Sequence, residues 1–146
     1  MNSKLLHVNE GQRTYALIFN KGEEVNQTLL DFAQSNQIHA AQLSAIGAFS
    51  RVTLGYFDPA SKDYKQIPIE EQVEVVSLIG NLTRKNGEPK LHAHVVVGKS
   101  DGIAYGGHLL TAKVWPTLEV VLIESPQYLQ RRVDEETGLP LIDLAA

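Results

Sequence analysis

Two β-prone runs, Leu91 to Val97 and Ile103 to Leu110, stand on either side of Ser100-Asp101-Gly102. Such a pattern folds back on itself as an antiparallel pair, because a three-residue hairpin loop favours a left-handed glycine at its last position. That loop pairs Lys99 with Ile103, and the register carried outward from there sets His94 directly opposite His108. A two-residue Asp101-Gly102 turn would shift the pairing by one and displace His108, so the loop type decides which side chains meet.

Residues two apart on a strand share a face, so His92 and His94 project together with Cα atoms about 6.6 Å apart. At that spacing two imidazole nitrogens can converge on one ion at Zn–N distances of about 2.0–2.1 Å. His108 from the neighbouring strand supplies a third ligand. Three histidines leave one tetrahedral position open, which is the arrangement of catalytic rather than structural zinc. Gly106-Gly107 removes two side chains beside the site, making room for a backbone bend or a ligand. The competing account is three half-buried histidines bonded to carbonyls; for a lone histidine it would win, whereas convergence of all three favours a metal. His7 and His39 have no such company and read as surface residues.

Elsewhere the chain is also mostly short strands. Arg13 to Phe19 reads as a strand closed by Asn20-Lys21-Gly22. From Glu23 to Gln37, Val25, Leu29, Phe32 and Ala33 recur at the spacing of one helical face, with Glu23 and Glu24 complementing the positive end of the helix dipole. Ile38 to Ile46 reads as a strand, interrupted at Gly47-Ala48-Phe49-Ser50 before Arg51 to Phe57 resumes it. Tyr64 to Ile69, Val73 to Ile79 and Thr117 to Ile123 are further strands, and Gly80 to Pro89 reads as a polar loop with Asn86-Gly87 as its tip. Many strands with one helix predict an α+β fold with a largely antiparallel sheet. The tail from Pro126 onward reads as a short helix or a loosely docked extension.

Composition bounds the chemistry. The length of 146 residues suits one compact unit, 43% apolar content can fill its core, and 21% charged residues with a net charge of −4 point away from a polyanion partner. Without cysteine there is no thiolate nucleophile and no Cys-type zinc site. With no signal-peptide core and no apolar stretch near the roughly 18 residues of a membrane span, the expected location is the cytoplasm.

Glu119 lies within the apolar run Thr117 to Leu122. It is a weak catalytic candidate, able to orient a ligand histidine or act as a base, or else simply a residue on the solvent side of an alternating strand. No Gly-x-Ser-x-Gly elbow supports serine hydrolysis, and no Gly-x-x-x-x-Gly-Lys loop supports nucleotide binding.

Taken in order, Leu43 to Ser50, Val75 to Asn81, Leu91-His92-Ala93-His94, Gly106-Gly107-His108-Leu109 and Pro116 to Leu122 resemble the plants-and-prokaryotes conserved (PPC) domain in its stand-alone prokaryotic form. The match runs from about Tyr15 to Glu124, within a single domain whose core is about 13–124 and whose C-terminal extension is 125–146; His-x-His followed by Gly-Gly-His is its most specific part. The resemblance implies that the matching His92, His94 and His108 bind zinc or another divalent transition metal, and that the domain is a homotrimer. It also implies a fold like the zinc domain of acetolactate decarboxylase. By that analogy the site serves a small polar molecule in a hydrolase- or lyase-type reaction. The alternative is a DNA-associated or regulatory trimerisation module, although no Arg-Gly-Arg-Pro core of the plant members is present.

Overall fold

The hairpin around Ser100-Asp101-Gly102 has the expected form. Lys99 N–H donates to Ile103 O at 2.9 Å, Gly102 takes φ +83°, and His94 lies opposite His108. These features come from a computed structural model, which describes residues 1–125 and 129–145.

The elements in chain order are β1 (Asn2–Asn9), β2 (Gln12–Phe19), α1 (Val25–Ser35), β3 (Ala41–Asp58), β4 (Asp63–Ile69), β5 (Val73–Lys85), β6 (Glu88–Gly98), β7 (Ala104–Glu124), β8 (Gln130–Val133) and β9 (Pro140–Asp143). The fold is therefore α+β, a largely antiparallel sheet with one helix. β3 pairs with β5 and β7, and β6 pairs with those same two strands, so β3, β5, β6 and β7 hydrogen-bond in a closed circuit. Closure requires the long strands to bend. The β3–β7 ladder accordingly slips register at three places, between Gly47 and Phe49, Phe49 and Arg51, and Thr53 and Leu54.

Three sequence expectations are corrected and one unassigned segment is placed. Gly47 to Ser50 does not end a strand: Gly47 takes φ +148° at a bulge, and β3 runs through to Asp58. A Cβ on Gly47 would lie 2.4 Å from the carbonyl oxygen of Thr117, so only glycine lets the strands approach there. The polar segment after Gly80 is not a loop, because β5 continues to Lys85 and only Asn86 and Gly87, at φ 53° and 83°, form the turn into β6. The N-terminal residues, unassigned from sequence, form β1 through a turn at Glu10 and Gly11. The extension is neither helix nor loose; residues 126–128 lie outside those described, and β8 and β9 beyond them form a hairpin joined to β5 at Arg84.

α1 buries Val25, Leu29, Phe32 and Ala33, the predicted face, against β6 and β7. It is shorter than expected because Glu24 is its N-cap, the carboxylate accepting the Gln27 N–H at 2.7 Å, while Glu23 turns back to the N-terminal ammonium. Phe19, Phe49, Leu54, Leu78, Leu118 and Leu122 are among the fully buried side chains that fill the interior of the sheet. Among the described residues no helix is long and apolar enough to cross a membrane.

Candidate metal centre

β6 and the first residues of β7 form one wall of the strand circuit. Ala93, Val95 and Val97 turn into the core, which obliges His92 and His94 to share the opposite face. His108 enters from β7 opposite His94. The three rings stand with centroids 5.1, 5.2 and 5.4 Å apart, and one ligand nitrogen from each can be chosen so that all three lie within 4.8 Å of one another. The Nε2 atoms of His92 and His94 are 3.2 Å apart. Two nitrogens bound at tetrahedral angles to one zinc stand about 3.3 Å apart, so this pair already has a ligand-like spacing.

Burial pushes His108 down to about 4, with His92, His94 and Lys90 adding to the effect. Burial likewise lowers His92, followed by the charge of Arg131 and the nearby His94 and Lys90. At neutral pH both rings are thus uncharged with a lone pair to offer, the form a metal requires. His108 is held from behind by Tyr64 of β4, whose ring stacks on it at 4.6 Å and 25°. Its Nδ1 is buried with no hydrogen-bond partner among the described residues.

The sequence offered no signal for Arg131, which proves to be the most connected polar residue of the site. From β8 its Nε donates to Thr83 Oγ1 at 2.8 Å, one Nη to the Pro140 carbonyl at 2.6 Å and the other to Asn81 Oδ1 at 2.7 Å. That second Nη also lies 3.4 Å from His92 Nδ1, at the long limit of a hydrogen bond, in which the guanidinium can only donate and Nδ1 accept. A cavity of about 510 Å³ opens beside the histidines, with Tyr56, Tyr64, Leu91, Leu139 and Leu141 in its walls. Among the described residues, Lys90 and Arg131 are its charged lining side chains, and no carboxylate lines it.

Gly106 and Gly107 differ in what they do. A Cβ on Gly107 would meet the Gly55 carbonyl oxygen at 2.9 Å and Leu54 Cβ at 3.3 Å, so this glycine permits the close approach of β7 to β3 and also borders the cavity. Gly106 is exposed and has room for a Cβ, 3.5 Å from Val96 Cγ2. Glu119 is not brought to the histidines. It stands exposed between Ile18 and Ile46 and lines a separate hollow on the outer face of the sheet. His7 is exposed on β1 and His39 is half-buried; neither joins the cluster.

Fold and site together define a small β-rich domain that gathers three histidines at the edge of a cavity. Residues 7–126 match the Plants and Prokaryotes Conserved (PCC) domain, and the chain belongs to that family, the one its motifs resembled. A plant- and prokaryote-conserved protein from Pyrococcus horikoshii is 35% identical with a TM-score of 0.86, covering 94% of this chain and 97% of that one. A metal-containing protein from Archaeoglobus fulgidus is 34% identical, TM-score 0.83, covering 97% and 98%. A candidate DNA-binding protein from Bacteroides thetaiotaomicron is 28% identical, TM-score 0.90, covering 99% of each chain. At 14% identity, acetolactate decarboxylase from Bacillus subtilis shares the fold over 75% of this chain and 52% of its own, TM-score 0.58. The chain spans about a fifth of the length of the curated relatives it matches, bifunctional GlmU proteins of two Synechococcus strains, 33% and 30% identical over 129 residues.

Proposed function

We propose that this chain binds one divalent transition metal, zinc foremost, through His92, His94 and His108, and that the metal serves a small polar molecule held in the adjoining cavity. The observation that carries this is the convergence of three imidazoles, two of them with Nε2 atoms 3.2 Å apart, where burial keeps His92 and His108 uncharged. The naming of the Archaeoglobus neighbour as metal-containing supports it. The donor set fits the ion, since three neutral nitrogens suit zinc and leave a coordination position for a ligand. A bound metal there supplies a Lewis acid for a hydrolase- or lyase-type reaction. The chain's own part is to orient the rings, His108 by stacking on Tyr64 and His92 beside Arg131, and to shelter the ligand under Leu139 and Leu141.

Self-association belongs to the same proposal, as the homotrimer the family resemblance implies. Ile18, Ile46, Val76, Ile79, Val96 and Val121 are exposed, and four of them, Ile18, Ile46, Val76 and Val121, line one hollow with Glu119, an apolar-rich surface of the kind that marks an interface. Ile79 of that group shares a shallow hollow with His92 and His94, which would put the metal site at a subunit boundary.

Elemental analysis of protein purified without chelator tests the metal directly. About one equivalent per chain is expected, since structural and catalytic zinc sites hold their ion through purification; well under a tenth of an equivalent would refute it. A DNA-associated module is the second proposal, resting on the Bacteroides neighbour's name. With a net charge of −4 it would need a local basic patch. Absence of a gel shift at low salt would remove it.

A further inference from the structure

Arg131 is a guanidinium with no anionic partner among the described residues. It is 8% exposed, and its bonded partners are a hydroxyl, an amide oxygen and a peptide carbonyl, all neutral. Elsewhere Arg13 is matched by Glu124 at 2.6 Å and Arg132 by Asp143 at 3.0 Å, and Lys99 has Glu71. Taking a cation out of water without a countercharge is unfavourable, and hydrogen bonds to neutral oxygens recover only part of the loss. Of the five N–H donors of a guanidinium, three are engaged at good distance and a fourth faces His92 Nδ1 at 3.4 Å, so one remains.

This uncompensated charge borders the histidine cavity, where Lys90 adds a second cation. A chain with net charge −4 has thus excluded every carboxylate from one lining and left two positive groups in it. Beside the histidines and tyrosines, Leu91, Leu139 and Leu141 give the wall an apolar part. A bare inorganic anion would satisfy the cations and leave the leucines wet. An uncharged apolar molecule would do the reverse.

We propose that the cavity takes a small organic carboxylate, its charged end directed to Arg131 and Lys90 beside the histidines and its hydrocarbon part laid on Leu91, Leu139 and Leu141. This deepens the metal-site proposal by naming the ligand class, and it rests on that proposal only for the further attraction a bound cation would add. The group that sets the preference lies outside residues 7–126, the part that matches the family, because Arg131, Leu139 and Leu141 all come from the β8–β9 hairpin. The hairpin is therefore the specificity element of the cavity, carried beyond the residues that match the family model.

The test is isothermal titration calorimetry of the full chain, zinc-loaded and metal-stripped, with acetate, butyrate and hexanoate, with hexanamide as the uncharged isostere, and with inorganic phosphate. Hexanoate is expected to bind roughly tenfold or more tightly than acetate and than hexanamide, the first from buried methylenes and the second from a charge-assisted bond. Lys90→Gln, at an exposed residue, should weaken hexanoate about threefold or more, in line with a partly solvated charge. Arg131→Gln should weaken it about tenfold or more. Because Arg131 also braces the hairpin, Leu141→Asp is the second variant: it leaves Arg131 in place, puts a like charge on the wall, and should abolish hexanoate binding. Equal affinity for hexanoate and hexanamide overturns the proposal, as does phosphate binding more tightly than hexanoate. No heat from any carboxylate, in protein holding one zinc per chain, refutes the carboxylate and leaves the metal standing. Arg131-dependent hexanoate binding by protein that never takes up zinc does the opposite.

Discussion

His94→Ala separates a metal ligand from a packing residue because His94 is exposed and the contacts recorded for its ring are to His92 and His108. Removing such a side chain from metal-free protein should change stability by no more than about 0.5 kcal/mol, the range of surface substitutions. In the presence of zinc the effect is larger. At a free-metal concentration of about 100 times the dissociation constant, binding adds about 2.7 kcal/mol to the folded state. Changes behind a ligand already weaken metal about 10–100-fold, so losing a ligand outright should exceed about 100-fold. At the same zinc concentration the variant then gains only about 0.4 kcal/mol or less. The missing 2.3 kcal/mol, at about 2–4 °C per kcal/mol for a chain near this length, is a loss of about 5–9 °C from the zinc-induced rise in Tm. Paired thermal melts with and without zinc, backed by elemental analysis, read both halves. The reasoning fails if the variant keeps the wild-type zinc shift, or if its metal-free form melts as far below wild type as its zinc form does.

Three other outcomes follow from the same geometry. In metal-free protein the folded pKa of His108, about 4, lies below the unfolded value of about 6.5. The unfolded chain thus binds a proton the folded chain refuses, so stability is fully present above about pH 6.5 and falls toward pH 4. The full shift would be worth roughly 3 kcal/mol, which half-exposure of the ring screens to about 1–2; denaturant midpoints at pH 7 and pH 4.5 in His108→Gln and wild type measure it. Gly107→Ala should cost about 1–3 kcal/mol and lower zinc content, since its Cβ presses on the Gly55 carbonyl, whereas Gly106→Ala should stay within about 0.5 kcal/mol; equal effects in chemical denaturation would contradict that difference. Ile46→Lys, placing a charge on the exposed apolar face, should reduce the mass seen by sedimentation to that of one chain, and an unchanged assembly would rule out that face as the contact.

Much of the site was legible because its logic is local. The strand period of two sets His92 beside His94, and the three-residue loop with a left-handed glycine sets the pairing that brings His108 across. The buried face of α1 was equally plain, since four apolar residues at helical spacing need only their own helix to align them. Turn-like residues misled where tertiary demands overrode them. Gly47 reads as a break from its neighbours alone, and becomes a bulge because β3 must bend past Thr117 for the circuit to close.

Nothing local could have shown that Tyr64 backs His108, that Arg131 reaches Asn81, Thr83 and the edge of His92, or that Leu139 and Leu141 wall the cavity. Each of these residues sits on an element whose own pattern is satisfied in many places. Where it docks depends on sheet order and on how far the strands curl, which are properties of the closed circuit rather than of any stretch of chain. The three candidate ligands were therefore written in a hairpin, through periodicity and a turn. Their surroundings, and with them the charge and shape offered to a ligand, were settled by long-range packing, because a side chain's electrostatic environment is made by neighbours that only folding brings near.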